Sequence, residues 1–280
     1  MRDKRGGWIT KKNIALTLLL TLMLFEWPAY SVLRFNDKVA ADSQVHSENA
    51  EAVNMLSMWE NLTVDNAQQR IDEANAAYEK ELTERNYKKM IEDTIQKIEN
   101  GQLTYREVFS DVYVCGDSQV AGLSYFGLIN GNHLIARVNA NLSDLENRLL
   151  KLKLAKPNIL ILHYGINSIA PEKGKNRNFV KKYRELIKEI KKSCPKTRII
   201  VSLLFPVDTS VAREERFAEV DYLNDLLREM CAEEDVEYLD NSSLAEQCKI
   251  HTKGDGIHMT REFYTKYWGK HIIREMGIYK

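Results

Sequence analysis

The chain has no surplus of either charge: 40 lysines and arginines stand against 40 aspartates and glutamates over 280 residues. A dedicated nucleic-acid surface, which shows as a basic excess, is therefore not expected, and no nucleic-acid partner is assigned. Paired cysteines are missing too. Cys115, Cys194, Cys231 and Cys248 form no Cys-x-x-Cys pair, and no histidine lies at zinc-ligand spacing from them. No metal and no cofactor is indicated. Cys115 sits in an apolar run and reads as a small buried hydrophobe; the other three leave room for one disulfide in an oxidising compartment. There is no internal repeat, no low-complexity segment, and no uninterrupted apolar run of the roughly 20 residues that cross a bilayer core. Glycine and proline are absent from Asp42 to Asn100.

The longest apolar run, Ile14 to Phe25, follows Arg2, Lys4, Arg5, Lys11 and Lys12. Basic residues leading into hydrophobes make the pattern of a secretory signal or signal anchor. Continued through Trp27, Tyr30, Val32 and Leu33, the segment reaches about the length needed, with aromatic residues suited to an interfacial belt. Val39-Ala40-Ala41 resembles a cleavage site but lies well beyond Phe25, so an uncleaved anchor is favoured. The basic flank then stays in the cytoplasm and everything after it lies outside. The expected division is a basic tail and anchor over 1–41, a helical stalk over 42–104 and one globular domain over 105–280.

In the stalk, Val64, Ala67, Ile71, Ala74 and Tyr78 recur at alternating steps of three and four, and the pattern resumes through Tyr87, Met90, Ile91, Ile95 and Ile98. This predicts amphipathic helix, as a hairpin, a short coiled coil or a helix packed on the main domain. Docking of a membrane partner is the sharper use of such a surface.

From Val112 onward strands and helices alternate. Val112-Tyr113-Val114-Cys115 reads as a buried strand that runs into Gly116-Asp117-Ser118 and then a helix. His133 to Val138, Asn158 to His163, Ile199 to Phe205 and Val236 to Leu239 read as further strands. Ser143-Asp144-Leu145-Glu146 has the form of a capping box, opening a helix with Leu149, Leu150, Leu152 and Leu154. Helices are also expected over about 178–192, which is basic, and 214–234. Apolar strands alternating with helices point to an α/β fold with a parallel sheet covered on both faces. His163 lies in a buried run and reads as a satisfied core residue. Thr260 is placed to cap the final helix.

Ser118 is presented at the carboxyl end of a strand, where open α/β sheets bind ligands. A serine hydroxyl is a weak nucleophile unless a base adjoins it. Asp255 and His258 share one glycine-flanked loop, close enough for the carboxylate to orient the ring. An oxyanion would find donors in the Ser118 N–H and the Asn167 amide, the latter beside Gly165 in a turn after a strand. The same Ser…Asp…His order occurs in α/β-hydrolases, but those use Gly-x-Ser-x-Gly. Here Val120 takes the second glycine position.

Gly116-Asp117-Ser118, Gly165-x-Asn167 and Asp255-x-x-His258, in that order, resemble the sequence blocks of the SGNH/GDSL hydrolase superfamily, over about 111–277. The resemblance implies a flavodoxin-like three-layer α/β/α sandwich and metal-free serine esterase or acyltransferase chemistry. By that likeness Ser118 is the nucleophile, His258 the base, Asp255 its orienter and Asn167 an oxyanion donor. The family usually places a glycine after its second strand. Here the segment reads Arg137-Val138-Asn139-Ala140-Asn141, and Ala140 is the best match for the missing backbone donor. Ser168 also stands where many relatives have aspartate. Triad and anchor together suggest an extracytoplasmic esterase acting on small acyl groups, such as acetyl, of an O-acylated carbohydrate or envelope glycan. Two alternatives stay open. One is an O-acyltransferase serving a surface polysaccharide with a membrane acyl-donor partner. The other is a non-catalytic binding or assembly module.

Overall fold

The structure is a computed structural model describing residues 50, 52–56 and 64–280. The expected anchor, the cleavage-like Val39-Ala40-Ala41 and the start of the stalk lie outside the described residues. Among the described residues no helix is long and apolar enough to cross a membrane. The chain divides into two compact units, 1–77 and 78–280.

Helix α1 (Val64–Glu99) is continuous, so of the alternatives left open the hairpin is not formed within these residues. No glycine or proline interrupts it, which leaves nothing to nucleate a turn. Ile71, Tyr78, Leu82, Tyr87 and Met90 along it are exposed, whereas Ile91, Thr94 and Ile95 are buried. Its last turns, and the short helix α2 (Tyr105–Val108) that follows, are thus part of the core of the 78–280 unit. Thr94 Oγ1 donates to the Lys280 carbonyl and accepts from the Lys280 N–H, both at 3.0 Å, clamping the chain end.

Five strands form one parallel sheet in the order β2-β1-β3-β4-β5. They are β1 (Val112–Gly116), β2 (Leu134–Ala136), β3 (Ile159–His163), β4 (Arg198–Ser202) and β5 (Glu237–Leu239). This is the doubly wound order with a switch point between β1 and β3. The period-two alternation of side chains builds two separate cores. Cys115, Leu160, Leu162, Ile199 and Val201 face one way, onto helices α6 (Lys173–Ser193) and α7 (Val220–Glu234). Val112, Val114, Ile161, Ile200 and Leu239 face the other, onto Ile91, Ile95, Val120, Trp268 and Ile272. In α6 the buried Val180, Tyr183, Leu186, Ile187 and Ile190 form one stripe, and the lysines and arginines take the opposite face. Several of those cations pair with carboxylates, as Lys182 does with Glu146 at 2.9 Å. All four cysteines are buried and free, so the room the sequence leaves for one disulfide is not used.

Three local expectations are corrected. The cap before the Leu142–Glu146 helix, α4, is Asn141 rather than Ser143: Asn141 Oδ1 accepts from the Ser143 N–H, and Asp144 accepts from the Asn141 N–H, both at 2.9 Å. Burial of Leu142 and Leu145 sets the helix start, and Arg137 holds the Asp144 carboxylate in the box. The leucines that follow form a separate helix, α5 (Leu149–Ala155), with Leu152 buried but Leu150 and Leu154 exposed. The chain after β4 leaves the ladder at Ser202, although Leu203, Leu204 and Phe205 stay buried.

Candidate active site

Gly116 pairs with Ala136 on one side and His163 on the other, so three loops emerge together at the carboxyl edge of the sheet. The first loop is a single residue. Asp117 caps helix α3 (Ser118–Tyr125), its Oδ1 accepting from the Gln119 N–H at 2.9 Å. Ser118 is therefore the first helical residue. Its N–H has no acceptor within the helix and points from the electropositive end.

Asp255 and His258 arrive from the far end of the chain. Asp255 Oδ1 accepts from the N–H groups of Ile257 (2.9 Å) and His258 (2.8 Å), while Oδ2 lies 2.7 Å from His258 Nδ1. Gly256 adopts φ +74°, and a Cβ there would meet the Asp208 carbonyl at 2.9 Å, so the tight loop needs glycine. The Lys253 N–H to His258 carbonyl bond (2.8 Å) and the Thr260 N–H to His251 carbonyl bond (2.7 Å) close its base. Thr260 Oγ1 has no hydrogen-bond partner among the described residues, so the hydroxyl does not provide the expected cap.

The two ends meet at Ser118 Oγ, 2.9 Å from His258 Nε2. A carboxylate can only accept, so Nδ1 carries the ring proton and Nε2 presents its lone pair to the Ser118 hydroxyl. Burial pushes the Asp255 carboxyl up, but the N–H groups of His258 and Ile257 and then the His258 ring outweigh it, leaving its pKa below the usual value. It stays ionised at neutral pH. Ser118 and His258 are half-buried and Asp255 exposed, so the group lies open at the surface.

Asn167 follows β3 in a turn that Gly165 starts at φ +150°, its carbonyl accepting from the N–H groups of Ser168 and Ile169, both at 2.8 Å. Asn167 Nδ2 donates to the Ala140 carbonyl at 3.2 Å, which ties the β3 loop to the β2 loop and leaves the second amide hydrogen available. Ala140 itself is not a free donor: its N–H bonds the Arg137 carbonyl at 3.1 Å, closing a turn. The neighbouring Asn139 has φ +59° and its N–H makes no hydrogen bond among the described residues. Asn139 is thus the residue in the left-handed conformation that a glycine would occupy, and its backbone N–H, unlike that of Ala140, is unengaged. The readable signal was its type, since asparagine tolerates this conformation better than other non-glycine residues.

Asp117 and Gln119, flanking Ser118, are fully buried and were not anticipated as part of the site. Asp117 Oδ2 has no partner among the described residues. Burial, only partly countered by the Gln119 N–H and then His258, pushes this carboxyl up to about 7. No group of histidine, cysteine or carboxylate side chains suited to a metal occurs among the described residues.

A family model described as GDSL-like Lipase/Acylhydrolase matches residues 114–266. No curated protein matches. Solved structures with similar folds include a lipase/acylhydrolase from Enterococcus faecalis, at 18% identity, covering 59% of this chain and 95% of that one, with a TM-score of 0.44. Others are a putative GDSL-like lipase from Parabacteroides merdae (15%, 59% and 92%, 0.45) and an acetylxylan esterase from Geobacillus stearothermophilus (15%, 60% and 94%, 0.46). Likeness at this level does not reach to substrate.

Proposed function

The chain belongs to the GDSL-like lipase/acylhydrolase family, and we propose that it is a serine esterase that removes small acyl groups from an O-acylated glycan outside the cytoplasm. The observation that carries the chemistry is the continuous Asp255–His258–Ser118 hydrogen-bond line. Ser118 Oγ attacks the ester carbonyl as its proton passes to His258 Nε2, and Asp255 faces the resulting imidazolium. The tetrahedral oxyanion is met by the Ser118 N–H, the free hydrogen of the Asn167 amide and the Asn139 N–H. Collapse expels the alcohol, which takes the proton from His258, and leaves an acyl-serine. Water then repeats the sequence, with His258 drawing off its proton and Ser118 as the leaving group.

The glycan assignment rests on the openness of the group, with His258 and Asp255 side chains 41% and 47% exposed, which suits a bulky polymer better than an enclosed lipid chain. The extracytoplasmic location rests on the basic-then-apolar amino terminus. On this reading 1–41 anchor the protein, and 78–280, whose core takes in the last turns of α1, carry the site. The test uses the full chain. Wild type should hydrolyse a short-chain activated ester and show an acyl adduct on Ser118 by intact mass, and Ser118→Ala should lose both, with about a 10⁵–10⁶-fold fall in kcat. Wild-type rates in the variant would exclude this mechanism.

A further inference from the structure

Behind the surface triad lies a second, wholly buried line of polar side chains. Trp268 Nε1 donates to Asn241 Oδ1 (3.1 Å), and Asn241 Nδ2 donates to Ser202 Oγ (3.0 Å). Ser202 Oγ lies 3.0 Å from His163 Nδ1, and His163 Nε2 lies 3.1 Å from Gln119 Oε1. Gln119 Nε2 donates to the Ile257 carbonyl at 3.0 Å. An indole N–H only donates and a carbonyl only accepts. Those two ends set the sense of every bond between them: Ser202 donates to His163 Nδ1, and His163 carries its proton on Nε2. Desolvation holds the His163 pKa down at about 4, keeping the ring in the neutral form this sense requires.

The line ends on a consequential peptide. The Ile257 carbonyl and the His258 N–H belong to one planar unit. Asp255 Oδ1 holds its N–H side and Gln119 holds its C=O side. Gln119 is also the residue next to Ser118, and its own carbonyl accepts from the Tyr264 hydroxyl. One buried side chain therefore references the base loop to the helix that presents the nucleophile.

We propose that Gln119 is a positioning residue for His258, with the buried line from Trp268 to His163 fixing the orientation of its amide. The proposal rests on the esterase reading above, in which His258 draws the Ser118 proton. A misplacement of about 1 Å in such a pair costs on the order of 10²-fold in rate.

The experiment measures kcat and KM for a short-chain activated ester, the rate of fluorophosphonate labelling of Ser118, and thermal unfolding, all on the full chain. Gln119→Met should lower kcat and the labelling rate in parallel by about 10–100-fold, with KM changed less than about twofold. His163→Phe should fall with it. His163→Gln, which keeps an amide donor for Gln119 Oε1, should stay within about threefold of wild type. A purely structural role would lower the unfolding temperature and leave kcat and labelling alone. Folded Gln119→Met with wild-type kcat and labelling overturns the positioning role by itself. Should that variant not fold, equal rates in His163→Phe and His163→Gln overturn it. A wild-type chain that neither turns over ester nor labels overturns the esterase reading and this proposal with it.

Discussion

His258 and His163 both reach the Ser118–Gln119 dipeptide through Nε2, one from the surface and one from inside. The outer ring is half-buried and backed by a carboxylate; the inner ring has no exposure and is backed by a serine hydroxyl. An imidazolium at the outer position is met by Asp255 and by water. At the inner position it would be desolvated without an anion, which is why its pKa falls to about 4. The same side chain thus serves proton transfer in one place and fixed hydrogen-bond wiring in the other. The carboxylates make the same contrast. Asp255 accepts three hydrogen bonds and sits below the usual range, whereas Asp117, with one buried oxygen unpartnered, is pushed up to about 7.

The contrast breaks most directly at its outer end. Asp255→Asn puts an amide opposite His258 Nδ1, favours the wrong tautomer, and should lower kcat by about 10⁴-fold. Because Asp255 is exposed, unfolding should move by only about 1 kcal/mol, the value of a typical internal hydrogen bond. Steady-state kinetics and urea titration check the two halves, and an unchanged kcat would remove the distinction between the rings.

Asn167→Ala should reduce kcat by about 10²–10³-fold through loss of an oxyanion donor, with KM little altered. A rise in KM at constant kcat would instead assign the amide to ground-state binding.

Inside, the titrating groups act through the pH dependence of stability. Asp117 holds its proton more tightly folded than unfolded, so its contribution is complete below about pH 4 and is lost as pH rises towards 7. Asp117→Asn keeps a capping oxygen and should remove this slope, improving relative to wild type between pH 5 and 8 by on the order of 2–4 kcal/mol in urea unfolding. Parallel curves would place Asp117 among ordinary carboxylates.

His163 has the opposite sign. Its lowered pKa makes its contribution complete above about 6.5 and lost as pH falls towards 4. His163→Gln should therefore show a shallower acid loss, by on the order of 1–3 kcal/mol between pH 7 and 4.5. An identical acid limb would mean that this ring does not govern it.

Much of the fold was legible because apolar strands and an amphipathic helix announce themselves by period. β1 and β3 fall where the hydrophobic pattern put them, and α6 covers the basic stretch expected as helix over about 178–192 but starts earlier, at Lys173. Edges were less legible. Asn141 and Ser143 offer overlapping capping signals, and only the burial of Leu142 and Leu145 chooses between them. Ala140 was a reasonable candidate donor by position. Its N–H is engaged in a turn whose left-handed residue is Asn139, and a backbone dihedral is not written in residue order.

Residue order alone determined which chemistry the chain could hold. A serine at a strand end, an Asp-x-x-His loop and a Gly-x-Asn turn are local patterns, and their types restrict the reaction before any contact is known. Tertiary structure decided what surrounds each group. Ser118 and His258, 140 positions apart, stand 2.9 Å from each other only because a parallel sheet gathers its loops at one edge. Whether a histidine or an aspartate meets water or a closed interior depends on what the rest of the chain packs against it, and that environment sets its charge.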